Sequence, residues 1–172
     1  MTVTIPDYVE AEGNVKVAWI PAVAAPAAAT VAELNAGVDL ECYLPETWGG
    51  ITGEQSKGEQ RRMCTKEAFE AFGRVKRSIS PLTATYMPQD AAGAAGNEAK
   101  TAMAEGTEGY IVVRYGLPSA TAWAASQVYD IIPAKAGVQN KNTNAQDEFA
   151  PLTYTQEVIA TGPLVEDGVV AA

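Results

Sequence analysis

The sequence predicts a mainly β chain with one short helix. The segment 110–115 concentrates β-branched and aromatic residues, which fit a pleated, half-buried surface. The 10 Pro and 15 Gly indicate many turns between short elements. Alanine-rich stretches usually favour helix, but here Pro and Gly interrupt them, so long helices are not expected; the interrupting residues are Pro21, Pro26, Gly93 and Gly96.

Strands are predicted where apolar residues alternate with polar ones or where β-branched residues concentrate. In order along the chain they are residues 15–20, 38–44, 75–80, 82–87, 110–115, 127–132 and 152–161. Pro133 is expected to end the sixth of these, because proline lacks the donor that a ladder needs. The polar stretch that follows it, rich in Asn and Gln, is interpreted as a linker of turn formers.

Two short helical segments have start and stop signals. Thr30 and Glu33 have the spacing of a capping box, which predicts a single turn ending before Gly37. Asn97 is predicted to cap a helix over residues 98–105, with Gly106 just past its end. Residues 59–72 fit either a helix or an extended chain, and the sequence leaves both open.

Long loops are predicted at residues 45–57, 116–125 and 138–150. The first two carry Trp48 and Trp123. Loops of this length in compact domains usually have a function or a partner. Ordering them alone is costly, so contacts with a neighbouring chain are expected. The predicted organisation is an N-terminal arm (1–14), a β domain (15–162) and a C-terminal arm (163–172).

Composition excludes several function classes. The formal net charge is −9 with a pI near 4.5, which argues against ordinary nucleic-acid binding and against an anionic membrane as partner. The 172 residues include no His, which removes Ser-His-Asp and Cys-His sites and His-containing metal sites. No enzymatic activity, cofactor or metal is expected. Cys42 and Cys64 are expected to stay reduced, with a single disulfide between them as the alternative, and Cys42 is expected to be a small buried apolar residue.

Four stretches together resemble the major tail tube proteins of long-tailed (siphovirus-type) bacteriophages, especially those that infect actinobacteria. They are residues 32–37 (Ala-Glu-Leu-Asn-Ala-Gly) before a strand, residues 106–116, residues 128–137 and residues 154–156 (Tyr-Thr-Gln). The resemblance covers residues 15–162. It implies a β-sandwich or partial barrel with one flanking short α-helix, similar to the type VI secretion tube.

The resemblance also implies a function. Homohexameric rings would stack into a tail tube, the conduit for DNA ejection, in a virion tail assembled in the host cytoplasm. Expected partners are further copies of the chain, the tape measure protein, the tail terminator and distal tail proteins. Genomic DNA would pass through without specific binding, and no membrane is involved.

Candidate site residues follow from the charge and loop patterns. Asp39 and Glu41 alternate with apolar residues, so we expect them on an acidic face in or near the lumen. Candidate contacts between subunits or rings are the large apolar residues of the loops and the C-terminal arm, namely Trp48, Ile51, Trp123, Val169 and Val170.

Two other functions remain open from the sequence. One is another virion structural protein, such as a capsid decoration protein or a tail connector. The other is a carbohydrate-binding β-sandwich in which Trp48 and Trp123 form a sugar platform.

Overall fold

The computed structural model describes residues 8–143 and 148–172. The described residues form nine strands, two short α-helices and a 3-10 turn (Pro26–Ala28). The strands are β1 (Val15–Ile20), β2 (Val38–Asp39), β3 (Ile51–Gln60), β4 (Phe69–Ile79), β5 (Leu82–Thr85), β6 (Glu108–Tyr115), β7 (Val128–Lys141), β8 (Thr153–Ala160) and β9 (Val165–Val169), and the helices are α1 (Val31–Asn35) and α2 (Glu98–Ala102).

Most strands belong to one antiparallel sheet in the order β2-β1-β6-β7-β8-β5, with β9 also paired to β7. The sheet curls into a half-barrel. The predicted mainly β fold with a partial barrel is therefore confirmed, although two short helices flank it rather than one. The strands β3 and β4 form a separate two-stranded hairpin.

The sheet is centred on β7, which is 14 residues long and runs through Pro133. The prediction that Pro133 ends this strand was wrong. One edge of β7 pairs with β6, while β8 and β9 share the other edge. The carbonyl of Pro133 accepts from Thr161, in the gap between β8 and β9. The missing N–H of a proline points to the same side as its carbonyl, so it falls in this gap, where no ladder bond is lost.

The central strands are buried on both sides. One side, the α2 face, packs Trp19, Ile111 and Ile132 beneath α2 and the segment 40–51. The other, the α1 face, packs Ile20, Val112 and Ile131 beneath residues 23–34 and the end of the chain. Double burial explains why residues 111–113 are apolar without alternation.

The predicted strand 38–44 is correct at Val38–Asp39 and wrong beyond it. Leu40 donates its N–H to the Val17 carbonyl and is buried, and then the chain turns, with Tyr43 and Leu44 donating back to the Leu40 carbonyl. Cys42 lies on this turn and is exposed, so its predicted burial was also wrong. Cys42 and Cys64 are both free thiols.

Helix α2 is shorter than predicted, and Asn97 makes no side-chain cap to it. The buried Asn97 side chain instead bonds both the N–H and the carbonyl of Met87, and donates to the Asp90 carbonyl at 3.3 Å. A buried amide must find partners, and here its partners are the backbone groups of the turn that precedes the helix. Asn97 therefore fixes the loop after β5.

The chain end is part of the sheet. Residues 163–172 were expected to form an arm, and the structure places Val165–Val169 as strand β9 along β7. Val170 follows it into the α1-face core. Because the N–H of Ala171 also donates to the Ala29 carbonyl, the end of the chain helps to cover the sheet.

The predicted capping box is confirmed, because Thr30 Oγ1 accepts from the Glu33 N–H at 3.3 Å and Glu33 Oε2 accepts from the Thr30 N–H at 2.8 Å. Backbone hydrogen bonds from Thr30 and Ala24 hold the pKa of Glu33 below its ordinary value. We expect Thr30→Ala to lower the free energy of unfolding by about 1 kcal/mol. Urea unfolding at neutral pH measures this change.

The same box carries a pH dependence. A carboxyl group with a lowered folded-state pKa stabilises the fold above its unfolded pKa and loses that contribution as the pH falls through the folded value. The Glu33→Gln variant should therefore lose less stability than the parent between neutral pH and about pH 3. If the free energy of unfolding fell as much in Glu33→Gln as in the parent over this pH range, the expectation would be contradicted.

Candidate assembly surfaces

The proposed acidic residues meet a buried lysine. Lys16 Nζ lies 2.6 Å from Asp39 Oδ2 and 3.4 Å from Glu41 Oε1, and it also donates to the Ser119 carbonyl. The Asp39 side chain is 56% exposed and the Glu41 side chain 16% exposed. Lys16 offsets part of their negative charge, and the exposed carboxylate at this sheet edge is mainly that of Asp39.

A second buried cation organises the loop after β6. Arg114 is fully buried; its guanidinium donates to the carbonyls of Pro118 and Thr121 at 2.9 Å each and to Gln127 Oε1 at 3.0 Å. It lies 4.9 Å from the centre of the Trp123 ring. Burial lowers the pKa of Arg114, and the nearby carboxylates of Glu41 and Asp39 partly oppose that effect.

The five predicted contact residues do not come together. Trp48 and Ile51 pack at the edge of the α2-face core, where Trp48 Nε1 donates to the Ser80 carbonyl at 3.1 Å. Trp123 and Val170 are buried in the α1-face core. Val169 is about half exposed. Contacts of these five residues with another copy stay predictions.

The placement of Trp123 bears on the carbohydrate-binding alternative. A sugar platform needs exposed indole faces on one surface. Trp123 is buried against Tyr129 in an edge-on arrangement, with the Arg114 guanidinium over its ring. Trp48 packs on the opposite core. The structure therefore does not form the platform on which this alternative depended.

The β3–β4 hairpin projects from the body as an arm. Its root is covered, with Ile79 buried and Ile51 packed against the α2-face core, while nearly all residues farther out are exposed. The segment 45–57 was expected to be a loop, and this was wrong from Ile51 onward. The open assignment of residues 59–72 resolves to the outer strands and the hairpin turn. Sequence patterning predicted residues 75–79 as strand but missed the outer part of the arm, which has no side against the chain's own core and hence no alternation.

A β-bulge determines which side of the arm is apolar. Val75 and Phe72 are three residues apart on β4, yet they lie opposite Gln55 and Lys57, which are two apart on β3. The extra residue places Phe72 on the same face as Val75, whereas Phe69 lies on the other face. Phe72 is 70% exposed and Phe69 55% exposed. Lys57 Nζ lies 5.7 Å from the centre of the Phe72 ring.

An apolar row crosses one end of the sheet on the α2 face. Val15 pairs with Tyr115, Val128 pairs with Val169, and Val113 with Asp130 fixes the register of the two middle strands. Tyr115, Val128 and Val169 are 57%, 49% and 48% exposed. Val15, Tyr115, Val128 and Val169 are called the apolar row below.

The opposite edge of the sheet carries an uncharged polar face. Thr83 pairs with Thr155, and their hydroxyl oxygens lie 3.4 Å apart. Asn142 Nδ2 donates to the hydroxyls of Thr153 and Thr155 at 2.8 and 3.0 Å. This threonine face is well hydrogen-bonded and contains no ion pair among these residues, so it offers little to an anionic partner.

Tyr43 fastens the turn after β2 to the loop before α2. Its hydroxyl donates a short hydrogen bond to Glu98 Oε2, which also accepts from the Gly96 N–H. Burial and then the bond to Glu98 raise the pKa of Tyr43 to about 12. Hydrogen bonds to Tyr43 and to backbone N–H groups lower the pKa of Glu98.

We expect the Glu98→Gln variant to bring the pKa of Tyr43 down from about 12, because ionising the phenol would no longer place two negative charges side by side. Ultraviolet difference titration of phenolate measures this value, with Tyr43→Phe as the control that assigns the signal. An unmoved alkaline titration in Glu98→Gln would show that burial alone sets the pKa.

Within residues 8–143 and 148–172, no group of three His, Cys, Asp or Glu side chains is placed to hold a metal ion. No helix in that part of the chain has the length and apolar character needed to cross a bilayer.

The protein is a curled β sheet with a long exposed arm. Its surface also carries the apolar row and the threonine face, and such exposed surfaces are typical of a protein that assembles with further copies of itself. The family model described as phage tail tube protein matches residues 2–172, nearly the whole chain. The chain therefore belongs to the phage tail tube proteins. The predicted family is confirmed, and it implies a structural protein of the virion tail that assembles with its own kind into a tube. Among curated proteins, no match to the chain is found.

Proposed function

We propose that six copies of this chain close into a ring and that rings stack into the tail tube of a siphovirus-type phage, the conduit through which genomic DNA leaves the capsid. Family membership alone does not specify a closed ring; the observation that supports one is that both end strands of the main sheet have a free edge. Strands β2 and β5 end the order of the main sheet, and each has one edge without a strand partner among the described residues. Such edges invite association, and closing a ring covers them.

The lumen proposal rests on charge. Duplex DNA carries about one negative charge per 1.7 Å of axis, so an acidic wall limits its adhesion. We propose that Asp39 and Glu41 lie in or near the lumen. The exposed carboxylate of Asp39 supports this, although its pairing with Lys16 reduces the local charge. The threonine face, on the same side of the sheet as Asp39 by register, would add an uncharged polar stretch of wall.

The remaining parts of the proposal concern partners and setting. The tube would assemble in the host cytoplasm around the tape measure protein, and the tail terminator and distal tail proteins would contact its two ends. The chain would act without a cofactor and without catalysis. Its role would be to form a continuous smooth wall.

Negative-stain electron microscopy across a concentration series tests the ring and tube. The expected result is hollow tubes with sixfold end views, or rings at lower concentration. Monomers or trimers persisting at the highest soluble concentration would contradict it. Trimers would favour a capsid decoration protein instead. In a reconstruction of the tube, Asp39 and Glu41 on the outer wall would contradict the lumen proposal.

A further inference from the structure

The charges of this chain are strongly segregated. Residues 51–79, which are the β3–β4 hairpin and its turn, hold seven of the 12 Lys and Arg but four of the 21 Asp and Glu. The arm therefore carries a net charge of +3, and the rest of the chain carries −12. Opposite signs on two parts of one molecule favour association of the arm of one copy with the body of another.

One face of the arm is apolar along much of its length, and only its root is covered by the body. Ile51 and Ile79 at its root lie on the face that packs against the chain's own body. Because of the bulge, the same face continues outward through Val75 and Phe72, with Lys57 beside the Phe72 ring. A two-stranded hairpin is at best marginally stable in water unless something packs on it. Its own body covers the root, and the outer part presents the same apolar face to solvent.

The complementary surface is the apolar row on the body. Tyr115 and Val128 are exposed on neighbouring strands. Asp130 follows Val128 on the same side of β7, and its Oδ1 accepts from the Asp167 N–H at 2.9 Å. This bond holds the Asp130 carboxylate against the backbone of Asp167. The row thus offers an apolar surface beside the Asp130 carboxylate, which matches the part of the arm face formed by Val75, Phe72 and Lys57.

Within one chain the arm already makes one contact of this kind. Arg77, on the same arm face as Val75, lies 3.0 Å from Glu166 of β9. Glu166 is next to Asp167 in the chain. At the root of the arm, Arg77 of this face therefore pairs with an acidic residue of β9, and farther out the face is not covered by the body of its own chain.

We propose that the Val75–Phe72 face of the arm of one copy docks on the apolar row of a second copy, with Lys57 near the Asp130 and Asp167 carboxylates. This proposal rests on the proposed function, since it specifies how rings join in the tube. The two docking surfaces are different, so the contact is head-to-tail and leaves a free arm at one end and a free row at the other. A contact of that type propagates into a stack, and six of them act together at each ring junction.

Point variants with matched controls test the contact. Phe72→Ser disrupts the arm's apolar face, and Phe69→Ser changes another exposed phenylalanine, which lies on the other face. Tyr115→Ser disrupts the row, and Ile159→Thr changes an apolar residue that is 60% exposed on β8, away from it. Light scattering gives the critical concentration for tube growth. Phe72→Ser and Tyr115→Ser should each raise it by about tenfold or more, and both controls should stay within about twofold.

Mixing the two defective proteins makes the test directional. Rings of Phe72→Ser retain an intact row, and rings of Tyr115→Ser retain an intact arm. Neither should grow tubes alone, whereas an equimolar mixture should give stacks of two rings by electron microscopy, because one junction is intact. Raising the salt from 0.1 to 1 M shortens the Debye length from about 10 to about 3 Å and should weaken parent stacking.

The outcomes separate the two proposals. Tubes from Phe72→Ser or Tyr115→Ser at the parent concentration would overturn the docking proposal and leave the tube itself intact. Defective rings that fail to pair when mixed would also overturn it. If the parent protein forms neither rings nor tubes, the proposed function has failed, and the docking proposal with it. Unfolding curves that match the parent establish that a variant is folded.

Discussion

Replacing Arg114 with methionine is expected to lower the free energy of unfolding by about 1–3 kcal/mol, the cost of leaving buried hydrogen-bond acceptors without a donor. The guanidinium is the shared donor to the Pro118 and Thr121 carbonyls and to Gln127. Removing it leaves those oxygens buried with fewer donors, while the methionine matches much of the lost volume. It also removes the cation that faces the Trp123 ring.

Urea unfolding followed by tryptophan fluorescence measures this effect, and Trp123 reports on the loop itself. The Arg114→Lys variant keeps the charge but loses the planar fork that reaches several carbonyls at once, so we expect an intermediate loss. The matched control is Arg74→Met, which removes an exposed arginine of the arm and should change stability by less than about 0.5 kcal/mol. A loss below about 1 kcal/mol for Arg114→Met would show that the loop is held by its backbone alone.

Removing the arm is expected to abolish tube growth without unfolding the body. The variant replaces residues 54–76 with Asn-Gly, which closes a two-residue turn between Gly53 and Arg77, a pair that is in register. It retains Ile51 and Ile79 in the core and the Arg77–Glu166 ion pair. The deleted residues are nearly all exposed, so the free energy of unfolding should change by less than about 1 kcal/mol.

Sedimentation and electron microscopy measure the loss of tubes, and circular dichroism checks that the body is folded. A shorter deletion supplies the control: replacing the turn residues 61–68 by Asn-Gly removes the end of the arm but leaves Val75 and Phe72 in place. This control should still form tubes. Normal tubes from the longer deletion would show that rings join through other surfaces.

The strands that sequence reasoning found are those with two well-defined sides or dense β-branched content. Val15–Ile20 was predicted with both boundaries correct, because every residue from Val17 to Ile20 is buried between two layers. Residues 75–79 of the arm were predicted as strand, whereas its outer part was missed because those exposed residues pack on nothing within the chain. The extension of β7 past Pro133 was missed because it depends on the gap between β8 and β9, which exists only in the tertiary structure.

The functions of buried polar side chains were the hardest features to predict from the sequence. Arg114 lies in a strand that the sequence predicts, yet its function in holding a loop needs the fold to bring residues 118–127 over it. The same holds for Asn97, whose partner Met87 lies ten residues earlier. Asp39 and Glu41 were chosen by alternation, and nothing in that pattern indicates Lys16 as their common partner, which strand pairing supplies.

The bulge in β4 makes the face that Phe72 occupies depend on one extra residue. Side chains alternate along a regular strand, so a separation of three would put Val75 and Phe72 on opposite faces, and the bulge keeps them on one face. Removing one residue at the bulge would leave a regular separation of two and keep Phe72 on its face, whereas removing both Gly73 and Arg74 would place Phe72 next to Val75 and turn it over. Among tubes built on this plan, natural variation at this point of the strand should therefore be the presence or absence of the single bulged residue.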